Sequence, residues 1–222
     1  MENWKQRTEA LIGTEACNKL GKSKVIIYGI GGVGSFVCEG LVRAGIGNIT
    51  MVDNDVVDIT NINRQIHANI NTIGMLKTDV MKKRILEINP NCNVEIYSNI
   101  ENEENLINDT YTYVIDAVDT IKTKVALAKK CKDINVKIIA AMGVAKKLDP
   151  SQLEVSDIYK TKVCKLAKIM RKELKKIGVQ KLKVVYSKEN PKECVILGSI
   201  SYMPSIAGLT IASEVIKDIL EI

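Results

Sequence analysis

Paired cysteines are missing from this chain. Its six cysteines, Cys17, Cys38, Cys92, Cys131, Cys164 and Cys194, form no CxxC and are nowhere crowded, which excludes a four-thiolate zinc site and a disulfide-stapled fold. Thiols kept reduced in a cytosol are the simplest reading. No run of about 18 uncharged apolar residues occurs, and the opening MENWKQRTEALIG has no apolar core of signal-peptide type, so neither a membrane span nor a leader is expected. The expected location is cytoplasmic. A Walker-type lysine loop is absent, as are internal repeats and low-complexity linkers. What remains is a 222-residue chain, 46% hydrophobic and 26% charged, large enough for one α/β domain with a buried core. Its net charge of +6 is modest but unevenly spread.

The stretch from Lys24 to Asp55, KVIIYGIGGVGSFVCEGLVRAGIGNITMVDND, organises the rest. An apolar run at 25–28 reads as a strand, Gly29-x-Gly31-x-x-Gly34 as a turn opening a helix, and a second apolar run stopped by Asp53 as the next strand. In such a unit Gly29 permits the tight turn, Gly31 lets backbone approach a phosphate chain, and Gly34 lets helix pack on strand. An acid about 20 residues further on takes the ribose hydroxyls, and Asp53 has that place. The expected ligand is a nucleotide.

Residues 1–23 read as a helical arm bearing Arg7, and 74–89 as an amphipathic crossover helix with Lys77 in its first turn and Pro90 as its stop. Strands at 94–97 and 113–115, an acidic helix at 101–107, a helix at 121–134 and a strand at 136–141 continue the alternation of a parallel sheet. Asp116-Ala117-Val118-Asp119 falls at a carboxyl strand end, where open α/β sheets bind ligands, so Asp119 is expected beside Gly31 and Asp53. Beyond Gly143, runs at 152–158 and 181–186 alternate like strands without clean crossovers and read as antiparallel additions. Between them, Lys160 to Lys183 holds ten Lys or Arg and one acid, with Leu166, Ile169, Met170, Leu174 and Ile177 at helical spacing. A helix at about 205–220 closes the chain. The expectation is a Rossmann-like α/β fold: a mainly parallel sheet with helices on both faces, plus antiparallel strands and a basic helix in the C-terminal third. It is read as one domain, 1–222, made of the arm (1–23), a nucleotide-binding core (24–149) and an extension (150–222).

The glycines and Asp53 alone would suit an NAD-dependent dehydrogenase. The other charges favour phosphate chemistry: Arg64, Lys77 and Arg7 are cations and Asp119 is a carboxylate, the set that neutralises departing phosphates and holds Mg²⁺ between them. Hydride transfer needs no such clamp.

Gly29-x-Gly31-Gly32-x-Gly34, Asp53-x-Asp55, Asn61-x-x-Arg64-Gln65, Lys77 and Asp116-x-x-Asp119 together resemble the ThiF/MoeB/HesA family, related to ubiquitin-activating enzymes, which adenylates carboxylates with MgATP. The resemblance implies that Asp53 binds ribose, that Asn61, Arg64 and Lys77 bind phosphates, that Asp119 holds Mg²⁺, and that Arg7 reaches into the partner's site of a homodimer. Sulfur-carrier activators of the family carry two CxxC pairs, which are lacking here. The segments 61–68, 157–161 and 198–205 are similar instead to the tRNA threonylcarbamoyladenosine dehydratase branch. That similarity implies ATP-dependent cyclisation of the threonylcarbamoyl group on the adenosine next to the anticodon, a tRNA partner, and room for cysteine desulfurase-system proteins as further partners. Because the ureido nucleophile is tethered beside the activated carboxylate, no protein nucleophile is required. None of the six cysteines is therefore assigned to catalysis, and His67, the single histidine, is read as a packing or hydrogen-bonding residue. Lys165, Lys168, Arg171, Lys172, Lys175 and Lys176 are the expected tRNA-binding face. Two other readings stay open: activation of a ubiquitin-like sulfur carrier, and a nucleotide-binding scaffold without catalysis.

Overall fold

The computed structural model describes residues 3–98 and 103–222. Strand β1 (Lys24–Tyr28) lies inside the sheet because both of its faces are apolar. Successive side chains of a strand point to opposite faces. Val25 and Ile27 accordingly enter one core with Val37, Cys38 and Leu41, while Ile26 and Tyr28 enter another with Leu127 and Cys131. Strands β2 (Asn48–Val52) and β4 (Tyr113–Asp116) flank β1 in parallel, with Tyr28 in register with both Val52 and Asp116. With β3 (Asn93–Tyr97), β5 (Ile138–Ala141), β6 (Leu153–Asp157) and β7 (Lys183–Ser187) they make a seven-stranded sheet of order β3-β2-β1-β4-β5-β7-β6.

Only β6 and β7 pair antiparallel. Strand β7 is at the same time parallel to β5, so the antiparallel addition amounts to a single reversed edge strand. The crossover into β7 is made by α6 (Lys165–Lys176), and β6 is inserted ahead of it, which hides the crossover from sequence spacing.

Helices α3 (Gly34–Ala44), α4 (Lys77–Ile88) and α7 (Tyr202–Leu220) share one core, whereas α5 (Ile121–Asp133) and α6 cover the opposite face. Helices α3 and α7 pack backbone to backbone: a Cβ added at Gly208 would lie 2.4 Å from the Val33 carbonyl oxygen, and one at Gly40 would lie 2.8 Å from Ala212 Cβ. The N-terminal arm is two helices, α1 (Gln6–Ile12) and α2 (Thr14–Lys22), broken at Gly13, whose φ is +84°. Of the helix expected at 101–107, residues 101 and 102 lie outside the described residues, and Glu103–Leu106 is a single 3₁₀ turn, after which Ile107 enters the core. No helix among the described residues is long and apolar enough to cross a membrane.

Candidate active site

Between β1 and β4 the order of the sheet reverses, and the chain leaves these two strands toward opposite faces, which opens a crevice at their carboxyl ends. A cavity of about 630 Å³ occupies that crevice. Gly29 adopts φ +85°, and a Cβ there would lie 2.7 Å from the Ala117 carbonyl oxygen. Gly34 lies under the turn rather than in the cavity wall, and its Cβ would fall 1.8 Å from the Gly29 oxygen. Gly31 differs: a Cβ there would meet nothing nearer than Gln65 Nε2 at 3.9 Å, so its missing side chain leaves room inside the cavity. Gly32 sits against Pro204 at the start of α7, at 3.1 Å.

Asp53 follows directly on β2. Its two carboxylate oxygens accept the amides of Ile30 at 2.5 Å and Asp55 at 2.8 Å, which locks it beside the glycine turn. Burial pushes its pKa above the ordinary aspartate value, against those two amides and the Lys77 charge. Lys77 opens α4 and is 6% exposed; its ammonium donates to Asp55 Oδ2 at 2.6 Å, and Asp55 reaches solvent. Asn61 ends a 3₁₀ turn and caps it, accepting the Asp58 amide at 3.2 Å. Arg64 is braced by the Thr60 carbonyl at 2.7 Å and Asn63 Oδ1 at 2.8 Å. Buried Gln65 lines the same wall, and its Oε1 has no partner among the described residues. Asp119 lies exposed across the cavity from this group. The fold thus gathers Gly29, Gly31, Gly32, Asp53, Asp55, Asn61, Arg64, Gln65, Lys77 and Asp119 around one cavity. Arg7 is exposed on α1 and does not line its own chain's cavity.

Helix α6 begins at this site, since Leu166 lines it. Lys165, Lys168, Lys172, Lys175 and Lys176 are exposed, whereas Ala167, Met170 and Leu174 are buried. Arg171 is drawn back onto Thr161, donating to its carbonyl at 3.1 Å and to its hydroxyl. Lys176 pairs with Glu173 at 2.7 Å, and Lys175 lies 5.9 Å from the Tyr159 ring centroid.

One wall of the cavity had no residue assigned to the site from sequence spacing. Met142, Gly143 and Ala145 after β5, and Leu197 and Ser199 before α7, also line the cavity. The second segment is tied down by hydrogen bonds from Asn63 Nδ2 to the Ser199 carbonyl at 3.1 Å and from the Lys146 amide to the Gly198 carbonyl at 2.9 Å. Such loop-to-loop closure follows no periodicity, and Gly143 and Gly198 were the sole local signals.

His67 is 2% exposed and neither ring nitrogen has a partner among the described residues; burial, then Lys77 and Arg84, push its pKa down to about 4. It is a neutral packing residue outside the cavity wall. Cys164 is buried at the N-cap of α6, where its sulfur accepts the Ala167 amide at 3.5 Å. No group of three or more His, Cys, Asp or Glu side chains among the described residues is placed to hold a metal ion.

The ThiF family model matches residues 5–222. This chain belongs to the ThiF family. Within it, the tRNA threonylcarbamoyladenosine dehydratase of Bacillus subtilis is 39% identical over 238 residues, spanning 97% of this chain and 94% of that protein. The Escherichia coli tRNA N6-threonylcarbamoyladenosine dehydratase, TcdA, solved in complex with AMP, has a TM-score of 0.92 at 32% identity, covering 100% of this chain and 97% of its own. Its complex with ATP aligns equally well. A more distant Escherichia coli structure, MccB with ATP, has a TM-score of 0.69 at 21% identity, which shows the shared fold alone.

Proposed function

We propose that this ThiF-family protein is an ATP-dependent tRNA threonylcarbamoyladenosine dehydratase, working as a single adenylating domain. The observation that carries this reading is the likeness over essentially the full length of both chains, 97% and 94%, to a dehydratase, combined with a cavity of about 630 Å³ at the switch point of the sheet. Activators of sulfur carriers would bring the paired cysteines that are lacking here.

A nucleotide fits the residues present. The open space at Gly31 admits phosphates to the backbone amides at the start of α3, and Asp53 stands at the end of β2 where ribose hydroxyls are taken. For Mg²⁺ the protein supplies one carboxylate, Asp119, which suits an ion that takes most of its ligands from phosphates and water. When bound, Mg²⁺ offsets charge on the phosphates.

The threonyl carboxylate is a weak electrophile and its oxygen a poor leaving group. It attacks the α-phosphorus of ATP, the bond to the bridging oxygen breaks, and pyrophosphate leaves. The ureido group then attacks the acyl carbon and gives up its proton to solvent, AMP departs with the former carboxylate oxygen, and the ring closes with net loss of one water from the nucleoside. Lys77 and Arg64 neutralise the phosphates, Asn61 and Gln65 position them, and Asp53 orients the ribose. The exposed lysines of α6, which starts at the cavity edge, hold the tRNA backbone. Arg7, which is exposed and does not line its own chain's cavity, acts in the site of a second copy.

Incubation with ATP, Mg²⁺ and tRNA bearing threonylcarbamoyladenosine, followed by nucleoside mass spectrometry, tests the reading. One water lost per AMP formed is expected. An unchanged nucleoside, or pyrophosphate exchange that depends on a Gly-Gly-tailed carrier protein instead of tRNA, overturns it.

A further inference from the structure

The turn that carries Asp119 is held from beneath by a lysine that never meets solvent. Lys124, at the end of the first turn of α5, is 0% exposed; its ammonium donates to Asp116 Oδ1 at 2.9 Å and to the Val118 carbonyl at 3.0 Å. The same Asp116 oxygen accepts the Val118 amide at 3.2 Å. One ammonium and one carboxylate oxygen therefore grip both the amide and the carbonyl of Val118. From its other side the turn abuts β1 and the glycine turn. The Ala117 amide donates to the Tyr28 carbonyl at 2.8 Å, and a Cβ on Gly29 would come within 2.7 Å of Ala117 O and 2.9 Å of Val118 N. Val118 and Asp119 line the cavity, and Lys124 does not.

Stability is a poor reason for such a pair. Removing an ammonium and a carboxylate from water is costly, and apolar residues of the same volume commonly serve a core as well or better. Asp116 is itself left with its second oxygen unpartnered among the described residues. An arrangement so expensive in desolvation, aimed wholly at the four-residue turn between β4 and α5, fits a demand for geometry.

We propose that Lys124 is a positioning residue: it fixes the turn between β4 and α5 so that Asp119 stays opposite the phosphate-binding glycine turn, without itself touching the ligand. The proposal rests on the adenylation reading and on Asp119 as the Mg²⁺ carboxylate.

Lys124→Met alone would strand Asp116 as an unpaired buried carboxylate and is expected to fold poorly. The informative protein is the double variant Asp116→Asn, Lys124→Met, which removes both charges, keeps an acceptor for the Val118 amide and loses the grip on its carbonyl. Cooperative unfolding close to wild type is expected, with faster amide hydrogen exchange confined to 117–119. In pyrophosphate exchange, kcat should drop about 10- to 100-fold, the range for a residue that orients a metal-binding group, and Mn²⁺ should bind the protein–ATP complex about tenfold more weakly. KM for ATP should stay within about threefold, because the ribose and glycine contacts are untouched. Wild-type kcat in the double variant, or unchanged exchange across 117–119, overturns the proposal. Absence of pyrophosphate exchange in the wild-type protein would instead count against adenylation itself, and amide exchange and Mn²⁺ affinity would then decide the role of Lys124.

Discussion

In the proposed reaction Lys77 is the side chain on which the phosphate chemistry turns. Its ammonium pairs with Asp55, whose side chain is 64% exposed while that of Lys77 is 8% exposed. A carboxylate so well solvated holds a cation without binding it tightly. A triphosphate entering beside Gly31 would offer more charge at the same place, so Lys77 can change partners at little cost. Lys77→Ala and Arg64→Ala should each lower pyrophosphate exchange by on the order of 100-fold or more while leaving the fold intact, since that is the usual loss for one charge-stabilising donor. Near-normal turnover in either protein, measured with the thermal midpoint alongside, would sink the assignment. His67 makes a different prediction. Its folded pKa of about 4 lies below the ordinary 6.5, so the unfolded chain takes up a proton first as pH falls. Its contribution to stability is therefore whole above pH 6.5 and is lost between there and pH 4, about 3 kcal/mol in all. His67→Gln should flatten that limb when urea midpoints are compared across pH, and an identical pH dependence would show that other groups govern acid lability. Lys124 marks what residue-level reading could not see: in the sequence it is one lysine among several on an amphipathic helix, and only its depth separates it from Lys122 or Lys129.

At the level of elements, the unit from β1 through α3 to β2 was legible because two apolar runs, glycine spacing and a terminal acid all fall within 32 residues of one another and leave one geometry. The structure gives a reason for each glycine. Gly34→Ala would place a methyl 1.8 Å from the Gly29 oxygen, so α3 must shift; a loss of about 1–3 kcal/mol is expected, with nucleotide binding falling further because the same shift moves the amides at the helix start. A Gly34→Ala protein of wild-type midpoint would contradict that packing. Elements joined by long-range loops were less legible. Segments 142–145 and 197–199 complete the cavity through hydrogen bonds between loops, which leave no period in the sequence, and the split of the arm at Gly13 rests on one positive φ that a glycine permits but does not require. The basic helix was visible as a pattern, yet the pattern overstated it. Arg171 is committed to Thr161 and Lys176 to Glu173, which leaves Lys165, Lys168 and Lys172 as the freest cations. Neutralising Lys168, Lys172 and Lys175 together should weaken tRNA binding and reduce the log–log salt slope by about 0.7 to 0.9 for every phosphate contact removed, with ATP binding unchanged. An unchanged slope would move the tRNA surface elsewhere, most simply to the N-terminal arm.

For the whole molecule the decisive residue is Arg7. The ThiF-family resemblance assigns it to catalysis, yet it stands on an exposed helix outside its own chain's cavity. The proposed second copy would reconcile the two. Mixing an Arg7→Ala subunit with a Lys77→Ala subunit should regenerate some active sites, since a mixed pair contains one site with both side chains intact. A monomer in sedimentation, or no rescue after subunit exchange, would count against a shared site.

Helix α7 has a bearing on how the protein is made. It is the last of the described elements, and its Pro204, Gly208 and Ala212 press on the glycine turn and on α3, which belong to the first quarter of the chain. At a synthesis rate of about 5–20 residues per second, on the order of ten to thirty seconds separate Gly34 leaving the ribosome from Tyr202 joining the chain. During that interval the side of α3 that packs on α7 has no cover, and the glycine turn lacks one of its supports. Nascent chains stalled before Tyr202 should accordingly fail to retain ATP and should recruit holding chaperones, whereas chains stalled on a linker placed after Leu220 should do neither.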